Sequence, residues 1–169
     1  MSRSMAGVVP SPVRSAGLRP VYTDEERTRR DSTRWTLVQG VLAPLQFVVF
    51  LVSLALIVRY LTTGEGWVAA ALSVVAKTLV LYLIMITGAI WEKVVFGQYL
   101  FAPSFFWEDA VSMLVIALHT ACLVAWFAAD AWLEPRAQML LALAAYAAYV
   151  VNAAQFLFKL RRARRERAA

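Results

Sequence analysis

Four ionisable residues, Glu92, Lys93, Glu108 and Asp109, fall within one short aromatic stretch between Gly88 and Asp109, among Trp91, Phe96, Tyr99, Phe101, Phe105, Phe106 and Trp107. Carboxylic acids in such surroundings suit a particular kind of work. A carboxyl group in apolar, aromatic company can carry its proton near neutral pH and deliver it to a reacting atom. A neighbouring carboxylate can take a proton from water or steady positive charge as it develops. The ring side chains suit a large, flat, apolar molecule.

The elements that must position these residues are apolar. The chain has 169 residues, 61% of them hydrophobic. Four stretches, about Thr36–Leu61, Trp67–Trp91, Phe105–Ala129 and Arg136–Phe158, reach the roughly 20 residues that a helix needs to cross a bilayer. The expected fold is all-α, a four-helix transmembrane bundle in one domain over residues 23–160. Residues 1–22 read as a disordered tail and 161–169 as a basic C-terminal tail. Thr23 with Glu26 has the form of a capping box and predicts a short polar helix over Asp24–Arg34. Pro44 predicts a kink in the first span. Gly64-Glu65-Gly66 and the segment from Ala129-Asp130 to Glu134-Pro135 predict the outer turns. Ala144 and Ala148, one helical turn apart, predict a close helix contact in the last span.

Charge orients the bundle. Arg27, Arg29, Arg30 and Arg34 precede the first span, and Lys159, Arg161, Arg162, Arg164, Arg165 and Arg167 follow the last. Basic residues beside span ends stay on the cytoplasmic side, so both termini are expected there, and the Gly88–Asp109 segment with them. Topology accounts for these charges, and no nucleic-acid partner is expected. The single cysteine, Cys122, has no disulfide or metal-site partner and reads as packing. One histidine argues against a multi-histidine iron site.

Depth then sorts the polar residues. Gln39, Gln46, Glu92, Lys93, Glu108, Asp109, Asn152 and Gln155 all fall in the cytoplasmic half or near mid-depth, which predicts a cavity open to that side. Lys77 and His119 lie deeper, where a charge costs roughly 2.5–3.5 kcal/mol and turns toward the bundle interior. Glu108 and His119 stand within about 20° of one another on the helical wheel, with Ser112 and Val115 between them, but about 16 Å apart along the axis. Structural readings stand beside the functional ones. Glu108 and Asp109 can cap a helix start, Lys77 and His119 can tie helices together, and Asn152 and Gln155 can do the same. The aromatics, Trp67 and Trp132 above all, can form an interfacial belt.

Three segments carry a resemblance: Thr36-Leu-Val-Gln-Gly-Val-Leu-Ala-Pro-Leu-Gln46, Thr87-Gly-Ala-Ile-Trp-Glu-Lys-Val-Val-Phe-Gly-Gln-Tyr-Leu-Phe-Ala-Pro103 and Phe106-Trp-Glu-Asp-Ala-Val-Ser-Met-Leu-Val-Ile-Ala-Leu-His-Thr120. They resemble the 3-vinyl bacteriochlorophyllide hydratase family (2-vinyl in older naming), and the similarity covers about Tyr22 to Leu160. The resemblance implies an enzyme of bacteriochlorophyll synthesis in a photosynthetic bacterium, a hydro-lyase of its inner or intracytoplasmic membrane. Such an enzyme adds water to the C3 vinyl group of chlorophyllide a or a related Mg-tetrapyrrole, giving the 1-hydroxyethyl product, with no cofactor of its own. Membrane lipid and neighbouring pathway enzymes are the other expected partners.

Roles follow from the chemistry of hydration. Protonation of the terminal vinyl carbon leaves a cation beside the macrocycle, and water attacks there. Glu108, Asp109 and Glu92 are the candidate acids, with Glu108 favoured because it shares a face with His119. His119 can act as the base or as an axial ligand to the substrate's Mg; no protein-bound metal is expected. Lys93 suits the substrate's propionate, and Trp91, Tyr99, Phe106 and Trp107 suit its flat ring. Lys77, Asn152 and Gln155 are further candidate binding residues. A non-catalytic pigment carrier, or an assembly factor for a photosynthetic complex, would use the same aromatics and His119 without turnover, and is the alternative.

Overall fold

Thr23 closes the capping box that the sequence predicts. Its hydroxyl accepts from the Glu26 N–H at 3.3 Å while the Glu26 carboxylate accepts from the Thr23 N–H at 2.8 Å. This starts α1, Asp24–Ser32, with acids in its first turn and Arg29 and Arg30 in its last, the order the helix dipole favours. The helix stops short of Arg34 because Thr33 both ends it and caps its successor, accepting from the Trp35 N–H at 3.4 Å. These features belong to a computed structural model that describes residues 20–127 and 133–168.

Four long helices follow: α2, Arg34–Thr63; α3, Trp67–Phe96; α4, Phe106–Phe127; and α5, Pro135–Ala168. All four are long and apolar enough to cross a membrane. The protein is an all-α membrane bundle, as the apolar pattern predicts. Each of α2, α3 and α5 outlasts its apolar stretch. Thirty residues of helix span about 45 Å, against a hydrocarbon core of about 30 Å. Hydropathy marks only the lipid-facing part, whereas backbone hydrogen bonding continues past it. The basic segment after Leu160 is thus the projecting end of α5, and α2 continues through Pro44.

Gly64 and Gly97 end α2 and α3 with φ of 76° and 85°, a conformation a side chain disfavours. The Gly64–Gly66 turn folds α2 back along α3, and α4 packs along α5 in the same way. The two hairpins then meet through α2–α5, α3–α4 and α3–α5 contacts. Ile57, Val74, Val115, Cys122 and Met139 fill the shared core. Gln39 seals α2 against α3 by donating to Thr87 at 2.8 Å and lying 3.7 Å from where a Gly88 side chain would begin. The close face of α5 is Ala142 and Ala145, both fully buried, rather than the expected pair, since Ala144 faces outward. Residues 1–19 and 128–132, the latter covering most of the second outer turn with Trp132, lie outside the described residues. Val21 and Tyr22, at the end of the expected tail, are buried against Val95, Phe105 and Ala163.

Candidate functional site

The loop between α3 and α4 is where the acids meet. Lys93 donates to the Gly97 carbonyl at 2.7 Å, closing the end of α3. The chain then turns through Phe101, whose φ of 59° is unusual for a residue with a bulky side chain. Two carboxyl groups hold that turn in place. Asp109 accepts from the Phe101 N–H at 2.7 Å, and Glu92 accepts from the Ala102 N–H at 3.4 Å. Bonding to successive backbone N–H groups brings the two carboxyls together at this turn.

Glu108 completes the cluster. Its Oε1 lies 3.0 Å from Lys159 Nζ, and the same ammonium donates to the Ser104 carbonyl, tying α5 to the loop. Its Oε2 is buried with no hydrogen-bond partner among the described residues. Asn152 donates to the Glu108 carbonyl at 2.9 Å and to Ser112 at 3.0 Å, so it locks α4 to α5 directly behind the acid. Gln155 is half-buried one turn further along α5, its Oε1 without a hydrogen-bond partner among the described residues.

The aromatic residues divide into two groups. Trp91, Phe96, Phe105 and Tyr22 form an inner cluster, with Tyr22 stacked on Phe96 at 5.8 Å and Phe105 stacked on Phe156 at 6.0 Å. Burial pushes the Tyr22 phenol up to about 12, although the nearby Arg30 guanidinium acts the other way. Tyr99, Phe101, Phe106 and Trp107 form an outer wall instead, with Trp107 71% exposed. Trp91 therefore belongs to the packed interior and the other three predicted stacking residues to a surface. Lys93 is exposed beside Tyr99.

Deeper in the bundle stands a second polar group. Lys77 is fully buried, and its Nζ lies 3.8 Å from the Tyr149 ring centroid. His119, also fully buried, stacks on Tyr146 at 5.7 Å and bonds the Val115 carbonyl through Nδ1 at 2.8 Å. The structure thus brings Glu92, Glu108 and Asp109 together and leaves His119 with Lys77, about 16 Å of helix rise away. Two apolar recesses occur, one beside Trp67 and Trp126 and one beside Thr120 and Leu141; neither includes a candidate residue.

Lys159 is the site residue that sequence reasoning passed over, because it stands first in a basic run that topology explained. A signal was present: Asn152, Gln155 and Lys159 recur at helical spacing on one face. As a whole, the cluster offers two carboxyls gathered at one turn, a third paired with a lysine, and aromatic walls.

Comparison with known proteins supplies the chemistry. The profile of the family described as 2-vinyl bacteriochlorophyllide hydratase matches residues 22–162. The 2-vinyl bacteriochlorophyllide hydratase of Rhodobacter capsulatus is 60% identical over 161 residues, covering 95% of this chain and 92% of that protein. That of Cereibacter sphaeroides is 65% identical over 147 residues, covering 86% and 89%. No solved structure matches.

Proposed function

The chain belongs to the 2-vinyl bacteriochlorophyllide hydratase family, and from that premise we propose that it adds water to the C3 vinyl group of chlorophyllide a or a related Mg-tetrapyrrole, at the carboxyl cluster. The observation that carries the placement is the convergence of Glu92, Glu108 and Asp109 at one loop, with a buried, unpartnered oxygen on Glu108.

The partners of each acid divide the work. The Glu92–Asp109 pair holds a proton and gives it to the terminal vinyl carbon, which becomes the methyl group. The neighbouring inner carbon then bears positive charge, spread over the conjugated ring and steadied by the carboxylates. Water attacks that carbon and loses a proton to Glu108, whose Oε1 is paired with Lys159. Glu108 returns the proton to the adjacent pair, and the cycle closes with no electron transferred and no cofactor required. Sharing a face with His119 favours Glu108 as the acid; its ion pair with Lys159 favours it as the base. Mg enters with the substrate.

The exposed rings of Tyr99, Phe101, Phe106 and Trp107 offer the macrocycle a landing face at the bundle edge, reached from lipid, and Lys93 stands beside it for an anionic substituent. The basic segments flanking the spans support a loop on the cytoplasmic side of a bacterial photosynthetic membrane. The test is anaerobic incubation of membranes holding the protein with chlorophyllide a and no added cofactor. A pigment heavier by one water, formed over many turnovers, is expected. Pigment bound but unchanged on folded protein would make the chain a carrier.

A further inference from the structure

Lys77 and His119 present two buried nitrogens with no hydrogen-bond partner among the described residues. Lys77 Nζ touches the face of Tyr149 but has no hydrogen-bond partner among the described residues. His119 donates from Nδ1 to the Val115 carbonyl, because a carbonyl oxygen can only accept. In the neutral ring Nε2 is then a lone-pair acceptor, and it too is buried without a partner among the described residues. The rings they rest on, Tyr149 and Tyr146, stand about one turn apart on α5 and both pack on Phe50.

The surroundings are built for polarity. The Tyr146 hydroxyl, beside His119, contacts Ser53 at 2.6 Å, and Ser53 contacts Ser73 at 2.7 Å, so α2, α3, α4 and α5 all contribute. A donor and an acceptor that are both buried and unsatisfied call for a molecule that accepts from one and donates to the other. Water does this, and buried water characteristically bridges such groups. The buried face of α4 runs on from His119 past Val115 to a second polar group. There Ser112, two turns from His119, donates to the Glu108 carbonyl at 2.8 Å and accepts from Asn152 at 3.0 Å.

We propose that Lys77 and His119 form a water-binding site at mid-bundle, on the same buried face of α4 that carries Ser112 and Glu108. A flat macrocycle seated on the loop aromatics would shut the carboxyl cluster off from bulk water on that side, so the second reactant has to be held within the protein. This last step rests on the hydratase reading; the water site itself does not.

Because His119 is the sole histidine, nitrogen NMR of the full chain labelled in histidine reports on one imidazole without assignment. In pigment-free protein, Nε2 is expected at the position of a hydrogen-bond acceptor, with a cross-peak to water that Lys77→Met weakens or removes. An unbonded Nε2 with no water contact, or a direct bond from a lysine proton, overturns the site. An unchanged spectrum in the variant removes Lys77 from it. Should Lys77→Met fail to fold, Lys77→Gln is read instead, and the wild-type spectrum still decides whether water is present. Turnover by the variant is expected to fall several-fold with pigment affinity retained; unchanged turnover overturns the supply role. A water signal in a protein that does not hydrate pigment sinks the hydratase reading and leaves the site standing.

Discussion

Replacing Lys159 by Met tests whether the Glu108 ion pair is a working element or an incidental contact. The substitution keeps the apolar stem and removes the ammonium 3.0 Å from Glu108 Oε1, together with the donor to the Ser104 carbonyl. A fully buried charge stripped of its partner costs about 3–5 kcal/mol. The side chains here are 24% and 8% exposed, so partial solvation brings the expected loss to roughly 2–3 kcal/mol. Glu108→Gln alone leaves the charge on Lys159, which reaches water more easily, and should cost about 1 kcal/mol. The double variant has neither charge to strand. It should lose roughly 1–2 kcal/mol rather than the sum of about 3–4, a coupling on the order of 2 kcal/mol. Reversible unfolding of the four proteins in one detergent measures this cycle. Strictly additive losses would show that the two groups do not depend on each other and would refute the assignment of Glu108 as a lysine-held carboxylate.

Other expectations follow from the same geometry. Asp109→Asn keeps an acceptor for the Phe101 N–H but cannot pass a proton to Glu92, so helicity should persist while turnover falls about 10²–10⁴-fold; full turnover would restrict Asp109 to shaping the loop. Trp107→Ala removes a ring that is 71% exposed, so pigment affinity should fall with unfolding unchanged, and unaltered affinity would move the landing face elsewhere. Gly97→Ala meets no atom within 4 Å, yet its φ of 85° should cost about 1 kcal/mol in an unfolding experiment; no loss would mean that the turn relaxes. The Tyr22 phenol is raised in the fold to about 12 from 10.0. Its contribution is complete below pH 10, where both states keep the proton, and is lost as pH rises toward 12, where the unfolded segment ionises first. The loss is roughly 2–3 kcal/mol of local docking. Tyrosine absorbance of wild type minus Tyr22→Phe should show this late ionisation, and a difference centred near 10 would contradict it.

The spans were legible because lipid imposes a simple demand: about twenty apolar residues and no exposed backbone polar groups. The short helix before them was legible from the Thr23–Glu26 pair, and the gathering of acids from their crowding beside Pro103. Packing faces were harder. Ala142 and Ala144 look alike in a run of alanines, and only the placement of Tyr146 and Tyr149 against Phe50 decides which side turns inward. Tyr22 illustrates a different limit. It sits in a polar tail by local composition, but rings supplied by α3 and the following loop give it a place to bury. Lys159 was masked for the converse reason, since a real topological signal surrounds it. The wheel correctly set Glu108 and His119 on one face, while axial rise keeps them in separate groups.

The most direct test of the account is hydration of chlorophyllide a by the full chain in water enriched in oxygen-18, without oxygen or added cofactor. The account predicts catalytic formation of a 1-hydroxyethyl pigment carrying one heavy oxygen, with Glu108→Gln folded but strongly impaired. A hydroxyl oxygen not drawn from solvent, or Glu108→Gln turning over at the wild-type rate, would contradict it.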